Sequence, residues 1–402
     1  VNRLTGLDGI RAIACLMVVL HHAFQRLNAN TAPGILVGIQ HVFTTTAPVG
    51  VSVFFVLSGA LLSQPYWRRY FNNQAMPELK EYVKRRAARI VPGFYLALVI
   101  SMIIERILLP DVPDFTRRFI ASLTFTSGFH YSTFFSTVLN GPLWSISFEV
   151  FSYVLLPFFM AGLFFFVHKR GIGTGISYWF VVLIIIMGIN ALVITYCQPD
   201  NINRGWQYGI VGGAKYWMPN YNPIGFFAHF LMGILASGLM LGIEENRQLK
   251  ENMTRYYIFD AVSFMGLLLF VLLVITQTNT PDFGFSLQQQ PYYWPWGAAS
   301  IALTIAFVPS SKWVGAVLDN AFFKYTAKIS FGVYIWHHLI MNLFTLESFR
   351  IDGCFEWSRL MLLAVAITYG IAALSWEYLE SPILNAVHKD GKAEYSQTKV
   401  TS

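Results

Sequence analysis

Charged side chains are scarce in this chain. Lysine and arginine number 28 and aspartate and glutamate 21 among 402 residues, so charged residues make up 12%, about half the share usual in a soluble domain. With 55% hydrophobic residues and a mean hydropathy of +0.50, water is excluded as the main solvent. Cysteine is scarcer still. Cys15, Cys197 and Cys354 are an odd number without Cys-x-x-Cys spacing, so neither a disulfide framework nor a zinc site is expected, and no metal enters the reading. Long charged insertions, low-complexity tracts and internal repeats are also missing. The formal charge of +7 would elsewhere suggest nucleic acid. In a membrane chain it reports loops facing anionic lipid, and no nucleic-acid partner is expected.

Apolar runs of bilayer-spanning length are abundant instead. A crossing takes roughly 20 residues, and such runs fall near 6–26, 47–64, 90–109, 143–167, 177–197, 223–243, 256–276, 294–309, 325–346 and 357–380. They predict an all-α polytopic membrane protein of about ten transmembrane helices. A stretch near 118–137, broken by Thr, Ser, Gly128 and His130, is a candidate re-entrant segment or an eleventh crossing. The first run carries Asp8, Arg11 and two histidines, so it reads as the first membrane helix rather than a cleavable signal. With ten crossings and a cytoplasmic start, about 20 of the 28 Lys and Arg fall on the cytoplasmic side. An eleventh crossing would put His168, Lys169, Arg170, Lys389 and Lys392 outside. Ten crossings with both termini cytoplasmic are therefore expected, with one membrane domain over 1–385 and a disordered cytoplasmic tail over 386–402.

Ionisable groups at bilayer depth are costly and must face the bundle interior, where function is their default reading. Asp8, Arg11, Cys15, Val18 and His22 step by three and four, which stacks them on one face of the first helix. His21 points elsewhere. The segment between the second and third crossings carries Arg68, Arg69, Lys80, Lys84, Arg85, Arg86 and Arg89. The positive-inside rule accounts for most of these cations. Arg86 and Arg89, three apart beside a membrane helix, are also placed to clamp the phosphates of a nucleotide-bearing ligand. Glu149 is a lone carboxylate in an apolar helix and needs a partner from another one, for structure or for catalysis. His337 and His338 fall mid-helix, and one of them should face inward. Counting about 1.5 Å of rise per residue sets His22, Glu149 and His337 at one depth, about 20 Å from the cytoplasmic side.

LTGLDGIRAIACLMVVLHHA, GVSVFFVLSGALLS, KRRAARIVPGFY, GPLWSISFEVFSYVLLP, ISFGVYIWHHLI and WEYLESPI occur in that order from Leu4 to about Leu384. The series resembles the ordered motifs of the acyltransferase-3 family of integral membrane O-acyltransferases. The resemblance implies a multi-pass protein of the bacterial inner membrane that moves an acyl group, usually acetyl from acetyl-CoA, to a hydroxyl of an envelope carbohydrate such as lipopolysaccharide, or of a related metabolite. The family's first-helix histidine falls on His22, its Arg-x-x-Arg pair on Arg86 and Arg89, its glutamate on Glu149 and its ninth-helix histidine on His337. Ala60 departs from a frequent Phe after the Ser-Gly of the second helix. The stand-alone form, without a fused esterase-like domain, is expected from the length.

On this reading coenzyme A places its phosphates at Arg86 and Arg89, with Arg11 nearby, and its pantetheine arm passes Ser58 and Gly59 to bring the thioester to His22. His22 acts as general base or carries the acyl group, and Glu149, Asp8 or His337 orients or stabilises it. Trp206, Tyr208, Tyr216, Trp217, Tyr221, Tyr292, Tyr293, Trp294 and Trp296 offer stacking surfaces for a sugar or an interfacial aromatic belt. The alternatives are a transporter or flippase using the same in-membrane groups, and a transferase of succinyl or longer acyl groups. Oligomeric state is not legible. Cysteine labelling at Ser402 and within 277–293 should place these positions on opposite sides of the membrane, and labelling on the same side rejects the ten-crossing topology.

Overall fold

A computed structural model of the chain describes residues 4–168, 170–196, 218–278, 294–345 and 353–387. All regular structure among them is helical. In order come α1 (Leu7–Phe24), α2 (Gly34–Thr46), α3 (Gly50–Phe71), α4 (Leu79–Leu108), α5 (Phe115–Leu123), α6 (Trp144–Phe166) and α7 (Ile172–Tyr196). They are followed by α8 (Pro223–Glu245), α9 (Arg247–Arg255), α10 (Ile258–Thr278), α11 (Trp296–Phe307), α12 (Trp313–Leu318), α13 (Ala321–Leu343) and α14 (Cys354–Ser375). A π-helical turn, Trp376–Glu380, carries α14 onward to residue 387. Asparagines set three helix starts, where the side chains of Asn222, Asn246 and Asn320 accept from backbone N–H groups of the first turns of α8, α9 and α13.

Each expected crossing coincides with one of these helices, and the protein is a polytopic all-α membrane protein. Among the described residues, eight helical spans are long and apolar enough to cross a bilayer. The two other expected crossings fall on the shorter apolar stretch Trp296–Ser310 and on α13, whose first two turns hold Lys324 and Lys328. The cationic segment between the second and third crossings is mostly helical rather than loop. Arg68 and Arg69 end α3, and Lys80 to Arg89 form the first three turns of α4. At 30 residues, α4 is about 45 Å long against a hydrocarbon core of about 30 Å, so those polar turns extend beyond it.

The stretch near 118–137 does not cross as a helix. Its one α-helix among the described residues, α5, has nine residues, about 14 Å of rise, and the chain then runs through short 3-10 turns and irregular segments to Leu143. From Ser132 onward that irregular backbone is almost wholly buried in protein and satisfied by it, the condition for non-helical chain at membrane depth. Asn140 Nδ2 donates to Ser101 Oγ at 3.1 Å and to the Ile335 carbonyl at 2.8 Å, and Gly128 N–H donates to Ser147 Oγ at 3.1 Å. The fully buried Arg118 pairs with Glu105, which also accepts from the Val138 N–H.

Lipid gives packed helices no hydrophobic drive to associate, so close backbone approach matters. α3 and α8 approach most closely. A Cβ on Gly59 would lie 2.0 Å from the Phe230 carbonyl oxygen, and one on Gly233 would lie 1.8 Å from that of Val56. Large apolar residues of α7 and α10, such as Phe180, Ile184, Phe264 and Leu268, face outward as a lipid-contacting surface. Of the aromatic residues expected on the outward loops, Tyr221 is buried against Trp144 and Phe226, and Trp294 packs on His229. Trp296 is exposed. The others, with Cys197, Lys389, Lys392 and the tail from 388, lie outside the described residues.

Gly233→Val should destabilise the bundle by about 1–3 kcal/mol or more, because the neighbouring element is backbone and cannot yield. Gly188→Ala, on a site with nothing within 4 Å of the added Cβ, should leave the detergent melting temperature unchanged. Equal melting temperatures for the two variants would contradict the α3–α8 contact.

Candidate active site

A cavity of about 480 Å³ is enclosed by α1, α3, α4, α6, α13 and the turn after α14. Helical spacing explains who reaches it. Asp8 and Arg11 are one turn apart on α1, Arg86 and Arg89 on α4, and Ser145, Glu149 and Tyr153 on successive turns of α6. Phe54, Phe55 and Ser58 supply the α3 wall, while Lys324, Lys328, Phe331 and Tyr334 supply that of α13. The lining contains five cationic side chains against two carboxylates, Asp8 and Glu149, so it favours an anionic ligand.

The two arginines of α4 differ. Arg89 is held 3.1 Å from the buried carboxylate of Glu380 and stacks against Phe331 and Trp376, with its guanidinium carbon 5.7 and 5.1 Å from their ring centres. Ser375 Oγ donates to the other oxygen of Glu380 at 3.3 Å. Arg86 and Arg11 make no hydrogen bond or ion pair among the described residues, so their donors are available to a ligand. Glu149 finds its partner from another helix in Ser58 of α3, whose hydroxyl donates at 3.3 Å, and a second in Tyr153 one turn along its own helix.

Beyond the Tyr334 end of the cavity lies a cluster of imidazoles. The His22 ring is 5.2 Å from that of His337 and 4.6 Å from that of His338. Both histidines of α13 therefore meet His22, where only one was expected to face inward. His21 faces away, its Nδ1–H donating to the Phe43 carbonyl of α2 at 3.3 Å. The tautomers follow from the partners, since an amide or carbonyl oxygen only accepts. His22 Nδ1 donates to Gln25 Oε1 at 2.9 Å, and His337 Nδ1 to the Val333 and Tyr334 carbonyls at 3.1 and 2.7 Å. Each ring thus keeps a lone pair on Nε2, and that of His337 is buried without a hydrogen-bond partner. Arg26 ties the His22 carbonyl to the Asn342 side chain, and Asn342 Nδ2 donates to the Leu139 carbonyl at 2.8 Å. Among the described residues no group of three or more His, Cys, Asp or Glu is arranged to hold a metal.

The structure therefore gathers Asp8, Arg11, Ser58, Arg86, Arg89 and Glu149 around one cavity and joins His22 to His337 just past its end. Two expectations change. Gly59 does not line the cavity, because its α-carbon turns toward Phe230 of α8, and Ala60 packs on that side as well. Glu149 is not level with the histidines. The start of α6 is sunk in the bundle behind the buried turn Gly141–Leu143, and Ser145, one turn before Glu149, bonds Tyr334, one turn before His337. Two turns of rise, about 10 Å, therefore separate Glu149 from His337. Reading the sequence missed Tyr153, Tyr334, Lys324, Lys328, Trp376 and Glu380. The last two stand in the WEYLESPI motif, and the lysines signal themselves only as charges at the start of an apolar helix.

Comparison with known proteins gives one family and no solved structure. Residues 4–377 match the family model described as an acyltransferase domain. A peptidoglycan O-acetyltransferase of Listeria monocytogenes is 23% identical over 397 residues, 94% of this chain and 55% of the relative. A Bacillus subtilis protein provisionally named for the same activity is 25% identical over 395 residues, again 94% of this chain and 54% of the relative. A Staphylococcus aureus protein provisionally named an O-acetyltransferase is 23% identical over 392 residues, 94% of this chain and 56% of its own length. The chain thus spans about half the length of the curated relatives it matches. No solved structure matches it.

The unequal roles of the α4 arginines are measurable without substrate. Arg89→Ala strands the buried Glu380 carboxylate and should lower stability by about 3 kcal/mol, whereas Arg86→Ala should leave the melting temperature in detergent unchanged. Arg89→Ala/Glu380→Gln should recover much of the loss, and no recovery would mean that the pair does not carry it.

Proposed function

The chain belongs to the acyltransferase-3 family, and from that membership we propose that it transfers an acetyl group from acetyl-CoA to a hydroxyl of a cell-envelope glycan. The observation that carries the donor is the cavity itself, with its cationic mouth and an uncharged upper part that leads toward paired imidazoles. Along α1 from Arg11 to His22 the rise is about 16 Å, a gap suited to a donor with an anionic head and a long flexible arm. Names borne by relatives in Listeria and Bacillus point to peptidoglycan as one acceptor of the right class.

In the reaction, Arg86 and Arg11 hold the donor's phosphates and the pantetheine arm passes Ser58 toward Tyr334. His22 Nε2 takes the proton of the acceptor hydroxyl as its oxygen attacks the thioester carbonyl. Collapse of the tetrahedral intermediate breaks the carbon–sulfur bond, and the imidazolium returns its proton to the thiolate, giving an ester and a free thiol. His337, with its tautomer fixed by two backbone carbonyls, offers an Nε2 lone pair to a neighbouring hydroxyl of the acceptor glycan and so orients it. Glu149, held by Tyr153 and Ser58, lies beside the path of the arm and keeps Ser58 in place.

Membranes containing the protein and an acceptor glycan should release thiol from acetyl-CoA faster than from succinyl-CoA. His22→Ala should lower that rate 10²–10⁴-fold, about 3–5 kcal/mol of barrier, with coenzyme A affinity kept. His21→Ala should be far milder, since a lost interhelical hydrogen bond is worth about 0.6 kcal/mol on average. Near-normal turnover by a folded, monodisperse His22→Ala protein rejects histidine catalysis on this helix.

A further inference from the structure

The mouth of the cavity is cationic on two walls, and one phosphate group does not account for both. On the α4 wall Arg86 is unpaired while Arg89 is engaged by Glu380. On the α13 wall Lys324 and Lys328 are four residues apart, hence neighbours on one helix face. Lys324 is held by Asp319 at 2.7 Å. Lys328 has no ion pair among the described residues, and its ammonium lies 5.5 Å from the centre of the Trp376 ring, the same indole that Arg89 approaches at 5.1 Å. One aromatic plate thus separates two cationic stations of different chemistry. A guanidinium is a planar fork suited to bridging oxygens of neighbouring phosphates, whereas an ammonium is a point charge suited to a terminal phosphate monoester.

Resting on the coenzyme A reading above, we propose that Lys328, supported by Lys324, binds the ribose 3′-phosphate of the donor while Arg86 binds its pyrophosphate. The cavity then selects 3′-phosphorylated coenzyme A thioesters over their dephospho forms. Repulsion between the two lysines is relieved by Asp319 before the ligand arrives, and the incoming dianion completes the neutralisation of Lys328.

Binding of acetyl-CoA and acetyl-dephospho-CoA to the detergent-purified protein tests this. The wild type should prefer acetyl-CoA by about tenfold or more, the scale of one charge-assisted contact. Lys324→Ala/Lys328→Ala should lose that preference by weakening acetyl-CoA alone, Lys328→Arg should retain most of it, and Arg86→Ala should weaken both ligands together. Equal wild-type affinities for the two thioesters overturn the proposal, as does a double lysine variant that weakens both equally, which would mean a diffuse charge effect. If the wild type binds neither thioester, the coenzyme A reading itself fails, and this assignment fails with it.

Discussion

A charge inside a bilayer is tolerated only when protein surrounds it, and that constraint organises the whole bundle. At the centre of a helix an Arg, Lys or Asp costs about 2.5–3.5 kcal/mol even on the mildest scale. Glu105 is matched by Arg118 and Glu149 by two hydroxyls, and at the polar end of α4 Glu380 is matched by Arg89, each bond joining segments that lie apart in the chain or on successive turns. These pairs fix which faces of α4, α6 and the turn after α14 look inward. Arg11, Arg86 and Lys328, which have no ion pair among the described residues, collect around one cavity.

The same constraint separates anion binding from proton chemistry. The imidazoles of His22 and His337 sit past the end of the cavity, and backbone or amide oxygens accept from their Nδ1 nitrogens. A tautomer set in this way needs no charged neighbour. The irregular chain before α6 completes the arrangement by lending the Leu139 carbonyl to Asn342, and the buried Arg118–Glu105 pair holds that chain in place.

How much of this was legible in the sequence depended on range. Bilayer thickness turns apolar run length into crossings, so the positions of α1, α6, α8 and α14 could be read from hydropathy alone. The first turns of α4 could not, because an interfacial helix is polar and apolar runs do not register it. The stacked face of Asp8, Arg11 and His22 was readable because it is a property of one helix. The Arg89–Glu380 pair spans 291 residues, and nothing local marks either residue as the other's partner. The depth of Glu149 was misjudged for a related reason, since counting residues from a helix end presumes that the end lies at the membrane surface.

The glycine contact between α3 and α8 has a mechanical consequence. Backbone meets backbone there, and neither helix can slide without breaking van der Waals contact along its length. Val51, Phe55, Ser58 and Leu62, all on α3, therefore form an immobile wall of the cavity. Elsewhere around the cavity, α4 and the turn after α14 are joined by the Arg89–Glu380 ion pair rather than by interlocked main chain.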